Sequence, residues 1–379
     1  MKIGILTLPL HTNYGGILQS YALQTVLQRM GHDVTVINQD LDIHQSPFRR
    51  LLSIGYFFVR KYLMGAKTLK YVSPKIINRE RREREQYTKA FIDNYINTYT
   101  VRHLATDVPK FFDAYVVGSD QIWRSKYVKD LYKTNVANAF LKFAEGDNVK
   151  RIAYAPSFGT DDWEYTEEET NECARLLGLF DAVSVREESA IKLCQEYLGR
   201  IDVKHVLDPT MLLPKEEYIK LVEDAHTPKS KGNLMCYILD ETDEKQQLVQ
   251  KIAKDRGYMP FYANSQVDNS NLPNKDRIQS PLEQWLRGFI DAEFVVTDSF
   301  HACAFSIIFN KPFVVIGNKG RGMARFSSLL SMFSLAHNLI NSVEDYNPAT
   351  SYDIPEESIK RFADYREESI AFLKSCLSK

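Results

Sequence analysis

The chain has 379 residues and a mass of 43.7 kDa, more than one hydrophobic core usually organises, so two domains are expected. The formal net charge of −1 at pH 7 provides no overall field that would attract nucleic acid. The cysteines are widely spaced and include no CxxC pair. That spacing argues against a disulfide framework or a zinc site and fits a reducing, cytoplasmic compartment.

The N-terminal segment has the pattern of a βαβ unit. Residues 2–8 form a short apolar run typical of a central parallel strand, and Pro9 and His11 interrupt it too early for a secretion signal. Residues 17–30 carry apolar side chains on one face, which predicts a helix, and residues 33–38 predict the next strand. The sequence has no uninterrupted apolar run of about 18 residues, so no transmembrane helix is expected.

An insertion at about 43–100 follows this unit and begins with a basic and aromatic segment. Residues 43–79 contain eight lysines and arginines and no acidic residue, with apolar and aromatic side chains between the charges. One interpretation is a helical subdomain that packs on the first domain. The other is a basic-aromatic face that rests on anionic lipid or a lipid-linked substrate, at the inner face of the membrane. The sequence leaves both open.

The rest of the chain alternates strands and helices in two series. Strands are predicted at 114–118, 151–159, 182–186, 203–210, 233–239, 258–263, 293–298 and 312–317. Helices are predicted at 166–179, 187–198, 242–256, 281–291, 301–309 and 355–376. We therefore predict an α/β fold with two Rossmann-like domains around a cleft, at 1–212 and 213–345, and a C-terminal helical segment at 346–379.

Polar clusters follow several predicted strands, at the edge where parallel sheets bind ligands. Gly15 and Gly16 precede a helix, and their backbone N–H groups are suited either to cradle an anion or to form a tight turn. Ser119 and Asp120 are candidates for ligand contact or for a helix cap. The candidate ligand-binding residues on this edge are Asn13, Tyr14, Gly15, Gly16, Ser119, Asp120, Ser157, Asp298 and Ser299.

Two further residues in these clusters carry chemically useful groups. Arg186 ends an apolar strand, and its guanidinium is suited to a local salt bridge with the glutamates that follow, or to a carboxylate or phosphate in the cleft. His301 stands at a predicted helix start, which lowers the pKa of a histidine, whereas a bound phosphate favours the imidazolium. A half-buried structural histidine is the alternative. The pair Asp208-Pro209 is more typical of a turn than of a catalytic pair.

The stretch 317–335 contains a glycine-rich loop before a helix. Lys319, Arg321 and Arg325 make this stretch cationic. Such a loop is often only surface. Its position one strand after His301 predicts a second wall of an anion site.

Six motifs together resemble the polysaccharide pyruvyl transferases, and in particular the branch common in bacterial surface-polysaccharide gene clusters. The motifs are NYGGILQSYALQ, GSDQIW, YAPSFG, SVREESA, VLDPT and TDSFHACAFSIIFNKPFVVI. They run in the expected order from residue 13 to about 330, so the resemblance covers most of the chain. No single motif is as specific as their order and number.

The resemblance implies a fold similar to that of GT-B glycosyltransferases, phosphoenolpyruvate as donor substrate without a separate cofactor, and a sugar acceptor. By the same resemblance, His301 matches the family's prominent active-site histidine and Arg186 matches a donor-binding arginine. Many relatives carry Arg-Leu-His where this chain has Ser299-Phe300-His301. Arg321 and Arg325 are the candidates to replace the missing arginine.

Ketal formation joins C2 of an enolpyruvyl unit to two hydroxyls of one sugar. The reaction needs cations for phosphate and carboxylate, an acid, and a base near the attacking hydroxyl. Arg186 with Arg325 can supply the cations and His301 the acid. Asp120 is the candidate base, with Asp298 as the alternative.

Two other functions fit the same sequence. One is a GT-B glycosyltransferase with a nucleotide-sugar donor, because fold does not fix chemistry. The other is a carbohydrate-binding or scaffold protein that has kept the fold without catalysis.

Overall fold

Twelve strands and twelve α-helices occur in the residues that the computed structural model describes, which are 1–64, 71–263, 265–267, 269–317 and 323–378. The strands are β1 Lys2–Leu6, β2 Asp33–Gln39, β3 Thr98–Val101, β4 Ala114–Val117, β5 Lys150–Ala153, β6 Ala182–Val185, β7 Lys204–His205, β8 Leu234–Tyr237, β9 Pro260–Tyr262, β10 Phe294–Thr297, β11 Phe313–Ile316 and β12 Leu339–Ile340. The helices are α1 Tyr14–Arg29, α2 Pro47–Phe58, α3 Pro74–Tyr95, α4 Ser125–Tyr127, α5 Glu167–Leu177, α6 Glu188–Leu198, α7 Lys215–Asp224, α8 Asp243–Arg256, α9 Leu282–Asp291, α10 Phe300–Ile308, α11 Met323–Met332 and α12 Glu356–Leu377.

The first sheet is parallel throughout and has the strand order β3-β2-β1-β4-β5-β6-β7. In the central strand β1, Ile3 and Ile5 belong to one buried cluster and Leu6 belongs to another. Both faces of the sheet are therefore covered. Burial on both faces explains why an unbroken apolar run, rather than an alternating pattern, encodes this strand.

The second sheet is also parallel and has the order β12-β11-β10-β8-β9. Strand order reverses between β1 and β4 in the first sheet and between β8 and β10 in the second. At such switch points the connections leave in opposite directions and open a crevice at the carboxyl ends of the strands. The two sheets thus provide two crevices that can form one cleft.

The last helix, α12, joins the two halves of the molecule. Near its start, Ser358 Oγ donates a hydrogen bond to the carbonyl of Phe333 at 2.6 Å, beside α11. Further along, Ser369 Oγ accepts a hydrogen bond from the Leu207 amide at 3.0 Å, and Leu373 is fully buried. The helix therefore begins on the second half and ends on the first.

The insertion forms α2, a π-helical continuation at Val59–Leu63, and α3. Phe91 and Ile92 near the end of α3 are buried in the same core as β1, whereas α2 has no buried residue among those whose side chains are described. Within the described part of the chain, no helix has the length and apolar content needed to cross a bilayer.

The predicted fold class is confirmed: two Rossmann-like α/β domains face a cleft, in a GT-B-like arrangement with a C-terminal helix. Two predicted strands are much shorter than expected. β5 stops before Ala155, whose φ of 55° turns the chain, and β7 stops before Asp208, which accepts a hydrogen bond from the Thr210 amide and caps a 3₁₀ turn. Helix α1 starts three residues earlier than predicted because Asn13 caps it. The prediction did not include β3, β12, α4 or α7.

Candidate active site

Three loops of the first sheet bring a buried cluster of charges together. Arg186 follows β6, and its Nη1 donates to Asp208 Oδ2 at 2.7 Å while its Nη2 lies 3.4 Å from Asp120 Oδ1. The Arg186 side chain is 1% exposed, and its guanidinium stacks 4.3 Å from the ring centroid of Phe300, which comes from the second sheet. Burial lowers the pKa of Arg186, but Asp208 and Asp120 raise the pKa more, so the guanidinium stays charged.

Asp208 is the acceptor at the centre of this cluster. Its Oδ2 accepts from Arg186 and from Ser119 Oγ, the latter at 3.1 Å, and its Oδ1 accepts from the Thr210 amide and hydroxyl at 3.0 and 2.7 Å. Burial would raise the pKa of Asp208, but the charge of a protonated His301 and the Arg186 guanidinium leave it below the usual range. The cluster therefore keeps an ionised carboxylate at full burial.

His301 lies in the first turn of α10, which Ser299 caps. Its ring packs against Gly15 so closely that a Cβ at position 15 would lie 2.0 Å from His301 Nδ1. Its Nε2 is 3.8 Å from Asp208 Oδ2 and has no hydrogen-bond partner among the described residues. Burial lowers the pKa of His301, and the carboxylates of Asp208 and Asp120 oppose this without overcoming it. The imidazole is thus mainly neutral at pH 7, and its buried Nε2 faces Asp208 without a hydrogen bond.

A cavity of about 530 Å³ lies at the switch points of both sheets. The loops after β1, β4, β8 and β10 line it, together with α11. Asp120, His301 and Arg325 all contribute to its wall, and Asn13 Nδ2 lies 3.5 Å from Asp120 Oδ2 at the same place. The cavity thus brings a carboxylate, an imidazole and a guanidinium together.

Among the described residues, Arg325 is the only arginine that lines this cavity. It is 6% exposed, and its guanidinium carbon lies 5.8 Å from the Phe300 ring centroid. Burial and the nearby Arg186 guanidinium lower the pKa of Arg325 to about 10, so it is still a cation at neutral pH. Arg186, by contrast, lies behind the wall. The second candidate for the missing arginine, Arg321, lies outside the described residues.

Of the candidate ligand-binding residues at the start of α1, some line the cavity and one does not. Asn13 Oδ1 accepts from the Gly16 amide at 3.2 Å, so the helix cap already uses this N–H group, although Asn13, Gly15 and Gly16 all line the cavity. Tyr14 does not reach the cavity. It is fully buried between the two halves, where its hydroxyl donates to the Ser280 carbonyl at 2.8 Å and its ring lies 5.5 Å from Trp285.

Other candidates are turned towards the protein interior. Ser119 and Ser157 are fully buried; Ser119 supports Asp208, and Ser157 Oγ accepts from the Gly159 amide at 3.0 Å. Asp298 lies at the cavity wall, but its carboxylate accepts from Lys245 Nζ at 2.6 Å and from two backbone amides. Because these donors occupy the carboxylate, Asp298 is a poor general base. Ser299 lines the cavity as well as capping α10.

Sequence reasoning missed two members of the site, Asp208 and Phe300. The pair Asp208-Pro209 has the pattern of a turn and Asp208 does cap one, but the same carboxylate also holds Arg186. One sequence signal does point to Asp208. It follows a predicted strand, as Arg186 does, and consecutive parallel strands are often neighbours in a sheet. No three His, Cys, Asp or Glu side chains in the described part of the chain are arranged to hold a metal ion.

The fold and the site define a GT-B-like α/β protein with a cleft lined by an arginine, a histidine and a carboxylate. The sequence model of the polysaccharide pyruvyl transferase family matches residues 13–320, and the chain belongs to that family. This match covers the Arg186, Asp208 and His301 motifs. No curated protein sequence matches the chain significantly.

Several solved structures are similar to this chain at low identity. UDP-GlcNAc 2-epimerase from Neisseria meningitidis is 12% identical, covers 100% of this chain and 94% of its own, and has a TM-score of 0.47. The E. coli ADP-heptose lipopolysaccharide heptosyltransferase II is 12% identical, with coverages of 99% and 100% and a TM-score of 0.37. Sucrose-phosphate synthase from Thermosynechococcus elongatus is 11% identical, with coverages of 100% and 98% and a TM-score of 0.45.

Proposed function

We propose that the protein transfers a pyruvyl group from phosphoenolpyruvate to two hydroxyls of one sugar in a bacterial surface polysaccharide or its precursor, forming a ketal. Family membership supports the pyruvyl transfer. The observation that carries the proposal is the cavity in which Arg325, His301 and Asp120 meet. A cation, a proton donor and a base in one partly closed site match what this transfer needs.

The transfer proceeds through two additions at C2 of the donor. Protonation of C3 gives a methyl group and an electrophilic C2, to which the first sugar hydroxyl adds with loss of its proton. Phosphate leaves with its bonding electrons, and the second hydroxyl then adds to C2 and loses its proton. C3 of the donor gains one proton, and the two sugar hydroxyls lose one proton each. The second released proton ends on the departing phosphate, so the products are the ketal and inorganic phosphate.

The residues at the cavity take distinct roles in this scheme. Arg325 binds an anionic group of the donor, either its phosphate or its carboxylate, because the buried guanidinium remains charged at neutral pH. His301 delivers the proton to C3, since an anionic donor nearby raises the pKa that burial has lowered. Asp120 accepts the hydroxyl protons, and Arg186 behind the wall holds Asp120 and Asp208 in place.

A cytoplasmic site of action fits this donor, with a lipid-linked glycan as acceptor and no separate cofactor. The direct test is incubation of the full chain with phosphoenolpyruvate and candidate lipid-linked glycans. We expect a mass gain of one pyruvate less one water, with release of inorganic phosphate. Because a simple enol ether has the same mass, NMR must show a methyl group and no vinyl protons. A vinyl product, or no product with any sugar acceptor, would contradict ketal transfer.

The role of His301 is tested with His301→Gln, which keeps a polar side chain but cannot donate the proton. We expect the transfer rate to fall about 100- to 10,000-fold, while phosphoenolpyruvate still raises the melting temperature. His103→Gln, at an exposed histidine, is the matched control and should keep the full rate.

The same melting assay separates this proposal from a glycosyltransferase. Phosphoenolpyruvate should stabilise the wild-type protein, whereas a panel of nucleotide sugars should not. Stabilisation by a nucleotide sugar alone would favour glycosyl transfer.

A further inference from the structure

The solvent-facing side of α2 carries an apolar surface. Large apolar side chains project from one side of the helix and its π-helical continuation, with exposed fractions between 44% and 69%. This apolar stripe consists of Phe48, Leu51, Leu52, Tyr56, Phe58, Val59 and Tyr62. A contiguous exposed apolar surface of this kind marks an interaction site.

The orientation of α2 is the reverse of that expected for a helix that packs on its own domain. The partly buried positions are Ser53, Ile54 and Phe57, and the Phe57 ring lies 5.6 Å from that of Tyr71. At 100° per residue these positions lie opposite the apolar stripe. The helix therefore turns its most apolar side away from the protein.

Basic side chains border the apolar stripe. Arg49 and Arg60 are exposed, and Lys61 is partly exposed. The Arg60 guanidinium lies 5.9 Å from the Tyr56 ring centroid, which keeps this cation beside the stripe. Residues 43–79 contain no acidic residue to neutralise these charges. An apolar face bordered by cations complements a bilayer with anionic headgroups, where the cations stay at headgroup level and apolar side chains enter the acyl region.

The base of α2 is fixed to the domain near the cleft. The segment before it is tied to α3 by hydrogen bonds between Ile43 and Asn78, at 2.9 and 3.2 Å. It follows β2, whose carboxyl end lies next to that of β1, and Asn38 Oδ1 accepts from the Leu10 amide at 2.9 Å. Leu10 lines the cavity, so α2 and the cavity lie on the same edge of the sheet.

We propose that the apolar stripe is a docking surface for an anionic lipid bilayer, on which α2 lies parallel to the membrane plane. The stripe covers one side of the helix and the opposite side faces the protein, so insertion is shallow. Docking on this surface would hold the carboxyl ends of the strands of the first sheet, where the cleft opens, near the lipid headgroups. Vesicle binding does not require the transfer reaction, so the docking surface stands independently of the proposed activity.

The test is co-sedimentation of the full chain with vesicles of phosphatidylcholine, alone or mixed with phosphatidylglycerol. We expect binding to the mixed vesicles at low salt and release at high salt. The double variant Phe48→Ser/Leu51→Ser should bind about 100-fold more weakly, at about tenfold for each apolar side chain. The triple variant Arg49→Gln/Arg60→Gln/Lys61→Gln should also lose about 100-fold, at about fivefold per charge.

Matched controls come from positions outside the apolar stripe. Ile201→Ser removes a side chain that is 80% exposed beside β7, at the far end of the first sheet from β2 and β3. The triple variant Lys192→Gln/Lys204→Gln/Lys220→Gln removes the same charge from other exposed positions. Both controls should bind vesicles as the wild type does.

Three results would overturn the proposal. The first is failure of the wild type to bind mixed vesicles at low salt, and the second is equal binding to neutral and mixed vesicles. The third is dimerisation in sedimentation velocity that Phe48→Ser/Leu51→Ser abolishes, which would make a second copy the occupant of the stripe. Circular dichroism checks the fold of each variant, and the lipid and salt comparisons on the wild type decide the matter even if a variant unfolds.

Discussion

The imidazole of His301 lies between opposing electrostatic influences. Burial disfavours its charged form, while Asp208 and Asp120 favour it, and the net effect lowers the pKa. Its Nε2 is 3.8 Å from Asp208, beyond hydrogen-bond distance, so this carboxylate supports the charge without fixing the proton. An added negative charge therefore favours the imidazolium, which is what an anionic donor would supply.

This arrangement predicts how the free energy of unfolding depends on pH. Because the pKa of His301 is below 6.5 in the folded state, the unfolded chain binds the proton first as pH falls. The contribution of His301 to stability is complete above the unfolded pKa and is lost as pH falls towards the folded pKa, at up to about 1.4 kcal/mol per pH unit. Urea unfolding between about pH 8 and about pH 5.5 should thus show a smaller decline for His301→Gln than for the wild type.

Two comparisons make this pH effect specific to His301. His103→Gln should decline with pH as the wild type does, because that side chain is exposed. Saturating phosphoenolpyruvate should flatten the wild-type curve, since a bound anion favours the imidazolium. Parallel curves for wild type and His301→Gln would show that His301 is not protonated differently in the two states.

At the scale of elements, the site depends on two helix N-termini that meet across the cleft. Helix α1 begins at the first sheet and α10 at the second, and Gly15 at the start of one lies against His301 at the start of the other. A side chain at position 15 has no room, because its Cβ would lie 2.0 Å from the ring. Gly15 is therefore needed for close approach of the two helices, independently of any role of its N–H group.

Gly15→Ala should displace the His301 ring and lower the transfer rate about 100-fold, as expected for a catalytic group moved by about 1 Å. NMR of the imidazole should show shifted His301 signals, and the overpacking should cost about 1–3 kcal/mol of stability. For the His301 signals and for stability, Gly16→Ala is the matched control, because its Cβ would meet Asn13 at 3.4 Å, an ordinary contact. Unchanged His301 signals in Gly15→Ala would contradict this account.

Local patterns allowed these elements to be predicted, but not all of their contacts. The apolar run of β1 and the periodicity of α1 reflect burial against neighbours, so they are visible in sequence. The ion pair between Arg186 and Asp208 is not visible in the sequence. It forms only because β6 and β7 are neighbours and the chain after each strand turns inward. The inward orientation of Ser119 and Ser157 depends on the same packing, so their candidacy as ligand contacts rested on position alone.

At the scale of the whole molecule, one buried apolar cluster that runs through both halves holds the two walls of the cleft together. Tyr14 and Trp285 pack together at its base, and Gln279 Nε2 donates to the Thr12 carbonyl at 3.0 Å. Helix α12 adds a further connection, because it starts on the second half and ends on the first. The sequence predicted this amphipathic helix, but its crossing from one domain to the other follows from contacts far apart in the chain.

If α12 couples the two domains, a cavity at its end should destabilise both of them. Leu373 is fully buried against the first domain, and Leu373→Ala should lower the free energy of unfolding by about 2–5 kcal/mol. Ile359→Ala on the same helix, at a side chain that is 42% exposed, should change it by about 0.5 kcal/mol or less. Hydrogen exchange can then be compared for peptides from β1 and β10. Equal acceleration of both in Leu373→Ala would support cooperative unfolding through α12, whereas acceleration of β1 alone would show that the domains unfold separately.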